Sequence, residues 1–156
     1  MTIQDGLLCK KEITNRLSKD ALELLSKIEI KEQTSSTNDD AKESLKNSSH
    51  LLSAHFAEQQ SAGRGRNSRK WISPFGQNIY LSLAWQSNLS FADIEGLSLA
   101  IGVEIAESLK NNTDEIIEIK WPNDLLVNQK KLAGILIETS SGKKDSLEII
   151  IGIGIN

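Results

Sequence analysis

Residues 58–71, with the sequence EQQSAGRGRNSRKW, form the segment with the clearest chemical potential. Gly63 and Gly65 permit backbone conformations that bring N–H groups close to a ligand. The arginines beside them supply planar donor groups suited to carboxylate and phosphate. No Asp or Glu occurs between Gln59 and Ala92, so this positive charge is local. The segment predicts a loop that binds a small anion, with a solvated basic turn as an equal alternative for such a motif taken alone.

A second candidate is the turn KWPND at residues 120–124, which precedes Lys131 by a few positions. Pro122 makes this turn rigid, which lets an amide and a carboxylate point at one place, as contacts to a metal ion or a ribose require. Lys131 opens an apolar strand, where a lysine ordinarily extends its ammonium group to water. Taken alone, Lys131 is therefore better explained by a structural role than by a catalytic one.

Two further segments have patterns that suit a ligand or a structural role. TSSTN at residues 34–38 suits a helix N-cap or the polar recognition of a small ligand, and the cap is favoured. IGIGIN at residues 151–156 places two glycines in a strand, which indicates close approach of another backbone or a ligand. His50, His55 and Cys9 have no spaced partners for a metal site or a nucleophile, so we interpret them as ordinary residues.

The elements that position these segments follow from hydropathy periods and turn residues. Helical spacing predicts helices over residues 18–28, with Ser18 as N-cap, over 39–47, and over 94–110 after a Ser90–Asp93 capping box. Alternating patterns predict strands around 28–30 and over 51–58, 78–85, 115–120, 125–127, 132–139 and 147–155. Turns of hairpin length join the last four. We expect an α+β fold with a mixed or antiparallel sheet backed by helices.

The composition indicates one globular domain of 156 residues, with 38% apolar and 25% charged residues. Neither a membrane-spanning stretch nor a signal-peptide pattern occurs, and the single Cys makes no internal disulfide, so we expect a cytoplasmic location. A single-stranded nucleic-acid module that uses the glycine-arginine loop is disfavoured by the net charge of −3 and the 4% aromatic content.

Taken together, the motifs resemble the catalytic core of bacterial biotin protein ligases in order and spacing. The matching segments are Ser36–Asn38, residues 58–71, SPFGQNIY at 73–80, KWPND at 120–124, KLAGILIE at 131–138 and GIGIN at 152–156. The resemblance covers about residues 28–156, and a chance match of so many ordered motifs is very improbable. Asn67-Ser68 departs from the Arg-Gly pair more often found in this loop, and serine there would be costly if the position needs positive φ.

The resemblance implies an ATP-dependent biotin–[acetyl-CoA-carboxylase] ligase with the fold shared by class II aminoacyl-tRNA synthetases. Such an enzyme joins biotin to ATP, releases pyrophosphate, and passes the biotinyl group from biotinyl-5′-AMP to a lysine of a biotin carboxyl carrier domain. The implied biotin-binding residues are Ser36, Thr37, Asn38, Gln60, Gly63, Arg64, Gly65, Arg66, Lys131 and Gly134. The implied ATP-binding residues are Arg69, Trp71, Asn123, Asp124, Lys131 and Asn156. Lys131 and Arg66 are the implied catalytic residues, and Asp124 is the candidate ligand of Mg²⁺.

Electrostatics explains why this reaction would need several cations. A carboxylate that attacks a phosphate is already ionised at pH 7, so the obstacle is the repulsion between two anions. At about 4 Å that repulsion is roughly 1 kcal/mol in water and about 4 kcal/mol at an effective dielectric constant of 20. We expect Arg64, Arg66, Arg69 and Lys131 to share one cavity and to offset the repulsion.

Two domain-level expectations follow from the resemblance. Residues 1–27 form a helical lead-in that is too short for the helix-turn-helix domain of many family members, so we expect no nucleic-acid binding through this chain. Residues 28–156 form a catalytic core that is incomplete at its C-terminal side, since family members continue with a closing loop and a small β domain. The alternative function is therefore that of a truncated, non-catalytic biotin- or adenylate-binding relative. The resemblance leaves open whether the protein forms a homodimer.

Overall fold

The computed structural model describes residues 7–47, 52–142 and 146–156. Its strands are β1 (Leu25–Thr34), β2 (Leu52–Gln60), β3 (Ile79–Ser87), β4 (Ile117–Lys120), β5 (Asp124–Val127), β6 (Lys130–Ser141) and β7 (Leu147–Ile155). Its α-helices are α1 (Lys10–Arg16), α2 (Lys19–Leu24), α3 (Thr37–Asn47) and α4 (Leu97–Leu109). His50, the predicted first residue of the strand at 51–58 and part of the predicted turn before β7 lie outside the described residues.

The seven strands form one mixed sheet in the order β1-β2-β3-β7-β6-β5-β4. β1 and β2 are parallel, and every other neighbouring pair is antiparallel. β4 to β7 form the antiparallel meander that the turn residues predict. Asn128 and Gln129 join β5 to β6 with φ of 50° and 63°, the left-handed pair typical of a tight hairpin. The predicted mixed sheet backed by helices is therefore confirmed.

Successive side chains of a strand point to opposite faces of the sheet, so each face has its own set of apolar residues. Helices cover both faces. On one face, α4 covers an apolar core that includes Ile135 and Ile149, both almost fully buried. On the other face, Ala41 of α3 packs against Ala84 and Ile150. None of the helices in the described ranges is long and apolar enough to cross a membrane.

The N-terminal helix prediction is right at its start and wrong at its end. Ser18 Oγ accepts the Ala21 N–H at 3.2 Å, so Ser18 is the cap that the sequence predicts. The helix nevertheless ends at Leu24, because Leu25 already pairs with Leu52 in the parallel β1–β2 ladder. The first strand thus begins inside the predicted helical lead-in, and the short helix α1 before it has no counterpart in the prediction.

The helix predicted over residues 94–110 is wrong at its beginning. The Ser90 N–H donates to Asp93 Oδ2 at 2.8 Å, as in a capping box, but the Ser90 hydroxyl also donates to Asp93 Oδ2, at 2.7 Å, and does not accept the Asp93 N–H as the motif requires. These bonds stabilise only a 3₁₀ turn at Ala92–Ile94. Gly96 then adopts φ of 80°, a left-handed conformation, so the chain changes direction and α4 begins at Leu97.

His55 is a buried residue of β2 whose environment the sequence does not reveal. Its side chain is 1% exposed, its Nε2 lies 3.1 Å from the hydroxyls of Ser44 and Ser53, and its Nδ1 lies 3.2 Å from Glu29 Oε2. Burial lowers the pKa of His55 and outweighs the nearby Glu29 carboxylate, which raises it. The imidazole is therefore held neutral, as part of the packing between β1, β2 and α3.

The buried imidazole predicts a pH dependence of stability. Because the pKa of His55 is lower in the folded chain than in the unfolded one, its contribution is complete above about pH 6.5 and is lost as the pH falls below that value. We expect the free energy of unfolding, measured by urea titration, to decrease from pH 7.5 to pH 5.5. In His55→Gln the decrease should be smaller. An equally steep decrease in that variant would contradict this role of His55.

Candidate functional site

A cavity of about 470 Å³ lies on the α3 face of the sheet, and glycines of β6 and β7 form its floor. Gly134 and Gly154 are register partners, and a Cβ on either residue would approach the Trp71 ring to 2.9 Å or less. A Cβ on Gly152 would overlap the Asn38 side chain. The sheet therefore lacks side chains where Trp71 and Asn38 rest on it. This is the close approach that glycines in a strand predict.

The beginning of α3 forms one wall of the cavity. Residues 36–38 are almost fully buried, and the Thr37 N–H donates to Gln60 Oε1 at 2.9 Å. Gln60 Nε2 in turn donates to Ser73 Oγ at 3.1 Å. A glutamine from β2 thus accepts the first N–H of the helix, so residues 36–38 contribute the helix start and also face the cavity. The two alternatives for this segment are therefore compatible.

Asn38 is fixed by partners on either side of its amide. Ser82 Oγ donates to Asn38 Oδ1 at 2.5 Å, and Asn38 Nδ2 donates to Glu138 Oε2 at 2.6 Å. An ionised carboxylate only accepts hydrogen bonds, so Glu138 determines which way the amide faces. Ser82 and Glu138 were not among the predicted site residues. Glu138 was detectable, because alternation in β6 places residues 134, 136 and 138 on one face.

The glycine-arginine loop is a tight antiparallel turn. The Trp71 N–H donates to the Gly63 carbonyl at 2.9 Å, and the Gly65 N–H donates to the Arg69 carbonyl at 2.7 Å. Gly63 is required by packing, since a Cβ there would lie 2.7 Å from the Trp71 carbonyl oxygen. The N–H of Gly65 is engaged within the loop, which differs from the expectation that it points to a ligand.

At the tip of this loop, Asn67 and Ser68 have φ of 55° and 57°. Position 68 therefore does take the left-handed conformation that favours glycine. A non-glycine residue there costs of the order of 1 kcal/mol, and asparagine tolerates the conformation better than serine. The departure from the family pattern at Ser68 thus carries a small conformational cost.

Arg64 lies at the α3 side of the cavity and is held by two carboxylates. Its Nη1 and Nη2 donate to Asp39 at 2.8 and 2.6 Å, and Nη2 lies 3.7 Å from Glu138 Oε2. The hydrogen bonds from Arg64 lower the pKa of the Asp39 carboxyl group, and the same bonds raise the pKa of Arg64. The charge of this arginine is therefore compensated within the protein, contrary to the expectation that it opposes substrate charge.

The other two principal cations lie at the opposite end, beside the KWPND turn. Arg66 Nη1 donates to Asn123 Oδ1 at 3.2 Å, and Lys131 Nζ donates to Asp124 Oδ1 at 2.7 Å. Lys131 Nζ also lies 5.1 Å from the centroid of the Trp71 ring, within the range of a cation–π interaction. The glycine-arginine loop and the KWPND turn thus meet in space, as the resemblance implies.

The cavity brings together most of the predicted site residues. Those that line it are Ser36, Thr37, Asn38, Gln60, Arg64, Gly65, Arg66, Arg69, Trp71, Asn123, Asp124, Lys131 and Gly134. Gly63 belongs to the glycine-arginine loop but does not line the cavity. Asn156 also lies outside the lining, where its Nδ2 donates to the Lys131 carbonyl at 3.0 Å. Lys70, Lys120 and Trp121 line the cavity without having been predicted.

One family model matches residues 30–156, that of the Biotin/lipoate A/B protein ligase family. The chain belongs to this family. Among curated proteins it is similar to the bifunctional ligase/repressor BirA of Escherichia coli, with 50% identity over 103 residues, 66% of this chain and 32% of that protein. It is also similar to the biotin–[acetyl-CoA-carboxylase] ligase of Paracoccus denitrificans, with 35% identity, 65% of this chain and 42% of that protein. The chain therefore spans less than half the length of these relatives.

Solved structures of biotin protein ligases have the same fold. The Leishmania major enzyme in complex with biotin aligns with a TM-score of 0.67 and 32% identity, over 83% of this chain and 56% of that chain. The Aquifex aeolicus enzyme in complex with biotin and ATP aligns with a TM-score of 0.63 and 36% identity, over 85% of this chain and 51% of that chain. The mixed seven-stranded sheet is thus the biotin protein ligase fold, as the motifs imply.

The glycine floor generates a test of the site's construction. We expect Gly154→Ala to displace the Trp71 ring, because the new Cβ would lie 2.5 Å from it, and to destabilise the fold by about 1–3 kcal/mol. Urea denaturation measures that loss, and a shift in tryptophan emission reports the displaced ring.

Gly65→Ala is the matched control for stability. A Cβ on Gly65 would make an ordinary contact, 3.6 Å from the Arg69 carbonyl oxygen. Its free energy of unfolding should stay within about 0.5 kcal/mol of the unmodified chain. Equal losses in the two variants would show that Trp71 does not depend on the bare floor.

Proposed function

We propose that this chain forms the catalytic core of a biotin protein ligase, which activates biotin with ATP and transfers it to a lysine of a biotin carboxyl carrier domain. The observation that carries the proposal is a single cavity with a neutral polar end and a cationic end, in which Lys131 and Arg66 meet the KWPND turn. Family membership supports it, as do the relatives whose structures contain biotin and ATP.

The polarity of the cavity suits biotin in one orientation. The α3 end offers the buried neutral groups of residues 36–38 and the half-buried amide of Gln60, which match an uncharged ureido ring with one acceptor and two N–H donors. Trp71 and the glycine floor lie between the ends and suit the apolar valeryl chain. The biotin carboxylate would then reach the end that holds Lys131 and Arg66.

At that end the protein's own cations reduce the repulsion between carboxylate and phosphate. A carboxylate oxygen of biotin bonds to the α-phosphorus of ATP while the bond from that phosphorus to the bridging oxygen of pyrophosphate breaks. Lys131 and Arg66 stabilise the charge on the reacting oxygens and hold the two groups in line. A lysine amine of the carrier then attacks the acyl carbon of the adenylate, and AMP leaves.

Asp124 is the carboxylate best placed for Mg²⁺. Mg²⁺ typically binds proteins through one or two carboxylates and completes its shell with water and phosphates, so one aspartate with the adjacent Asn123 carbonyl fits it. Among the described residues no cluster of three potential ligands occurs. The ion supplies phosphate neutralisation when bound. Asp124, which accepts from Lys131 Nζ at 2.7 Å, is the residue that would hold the ion.

The predictions on partners and location remain predictions. A carrier domain is the expected protein partner and a cytoplasmic location is a further expectation from the sequence, which leaves open whether the protein forms a homodimer.

Biotin-dependent exchange of pyrophosphate into ATP tests the proposed function. We expect the chain to catalyse this exchange and Lys131→Ala to lower its rate by roughly a hundredfold or more, because an electrostatic group at the reacting oxygens is lost. Circular dichroism should show an intact fold.

Lys130→Ala is the matched control, since Lys130 is the neighbouring lysine at the exposed start of β6. Its exchange rate should remain within about twofold of the unmodified chain. Biotin binding without exchange would favour the alternative of a non-catalytic relative, and neither binding nor exchange would refute both.

A further inference from the structure

Arg64 differs from the other cations of the cavity in how it is held. Both terminal nitrogens of Arg64 donate to the Asp39 carboxylate. These two parallel hydrogen bonds fix the position of the guanidinium and the orientation of its plane. The side chain of Asp39 does not line the cavity and contacts the site through Arg64. By contrast, Arg66 donates to a neutral amide, and the partner of Lys131 is itself a lining residue.

The position of Asp39 in α3 keeps its charge in place. Asp39 lies in the first turn of the helix, where the positive end of the helix dipole favours a carboxylate. Its N–H donates to the Ser36 carbonyl at 3.0 Å, which ties the residue to the buried segment that faces the cavity. The carboxylate is therefore ionised and fixed relative to the groups that would contact the ligand.

Glu138 connects the same arginine to the Asn38 amide. Its Oε2 accepts from Asn38 Nδ2 at 2.6 Å and lies 3.7 Å from Arg64 Nη2. If Asp39 were uncharged, Glu138 would be the nearest remaining carboxylate for Arg64. The guanidinium would then compete with Asn38 for that oxygen, and the Asn38 amide would lose the partner that fixes its orientation at the α3 end of the cavity.

We propose that Asp39 is a positioning residue, which holds Arg64 in place so that Glu138 keeps the Asn38 amide turned for recognition of the uncharged ring of biotin at the α3 end of the cavity. This inference rests on the proposed function, and it names what selects the orientation of the ligand. A guanidinium released from Asp39 would draw Glu138 away from Asn38, and the amide would lose its fixed donor and acceptor directions.

The test compares biotin affinity and turnover in Asp39→Asn, which keeps the shape and removes the charge. We expect the KM for biotin in pyrophosphate exchange and the calorimetric Kd to rise roughly tenfold, with the KM for ATP unchanged. Asp40→Asn is the matched control, because Asp40 is the next residue of α3 and pairs with Lys31, at 2.7 Å. The Kd for biotin of this control should stay within about twofold of that of the unmodified chain.

A double-mutant cycle distinguishes positioning through Arg64 from a general loss of structure. In an Arg64→Gln background, Asp39→Asn should have no further effect on biotin binding, because the group that it positions is absent. Asp39→Glu should restore much of the affinity in the presence of Arg64. An undiminished effect of Asp39→Asn in the Arg64→Gln background would overturn the proposal.

A second measurement separates this inference from the proposed function. We expect the Arg64 Nη–H resonances to exchange with water faster in Asp39→Asn than in the unmodified chain, whether or not ligand is present, because both Nη atoms donate to Asp39. Faster exchange with unchanged biotin affinity would overturn the positioning role and leave the ligase function standing. If the unmodified chain fails to bind biotin, the ligase function and the inference are both refuted.

Discussion

The construction of this protein depends on direct contact between the backbone of β6 and β7 and the side chains that lie on it. Gly134, Gly152 and Gly154 leave the sheet bare over one patch, and Trp71 and Asn38 occupy the space that their side chains would fill. Close packing makes such a contact intolerant of even one added methyl group. The glycine-arginine loop and the start of α3 are therefore brought to the same floor, although they are separate in sequence.

The charge environment differs between the two ends of that floor. At the α3 end, the single cation Arg64 lies beside two carboxylates, those of Asp39 and Glu138, so this end has no excess positive charge. At the other end, Arg66 donates to the neutral Asn123 amide and Lys131 pairs with Asp124. A neutral polar environment and a cationic one thus lie within one cavity. A uniformly positive cavity would bind anions but would not orient a ligand that has only one charged end.

Much of the architecture was predictable, since alternation in β3 and β7 and the turn residues of the meander act locally. The positions that failed are those where tertiary contacts override local preference. Leu25 leaves a helical pattern because a parallel partner strand is available, and Gly96 interrupts an apolar helical period. In the site, the motifs identified the residues of the cavity but not which of their side chains form ion pairs and hydrogen bonds with which partners. That Arg64 faces Asp39 across 25 positions depends on how α3 lies on the sheet, and no local pattern encodes it.

The strand order has a consequence for how the protein is made. β7, which follows the other described strands in sequence, lies between β3 and β6 in the middle of the sheet. During synthesis on the ribosome, the edges of β3 and β6 are therefore without their shared neighbour until β7 emerges, and such open edges are prone to pair wrongly. Gly152 and Gly154 arrive with that same strand. The centre of the described sheet and the floor of the cavity therefore form with the same strand.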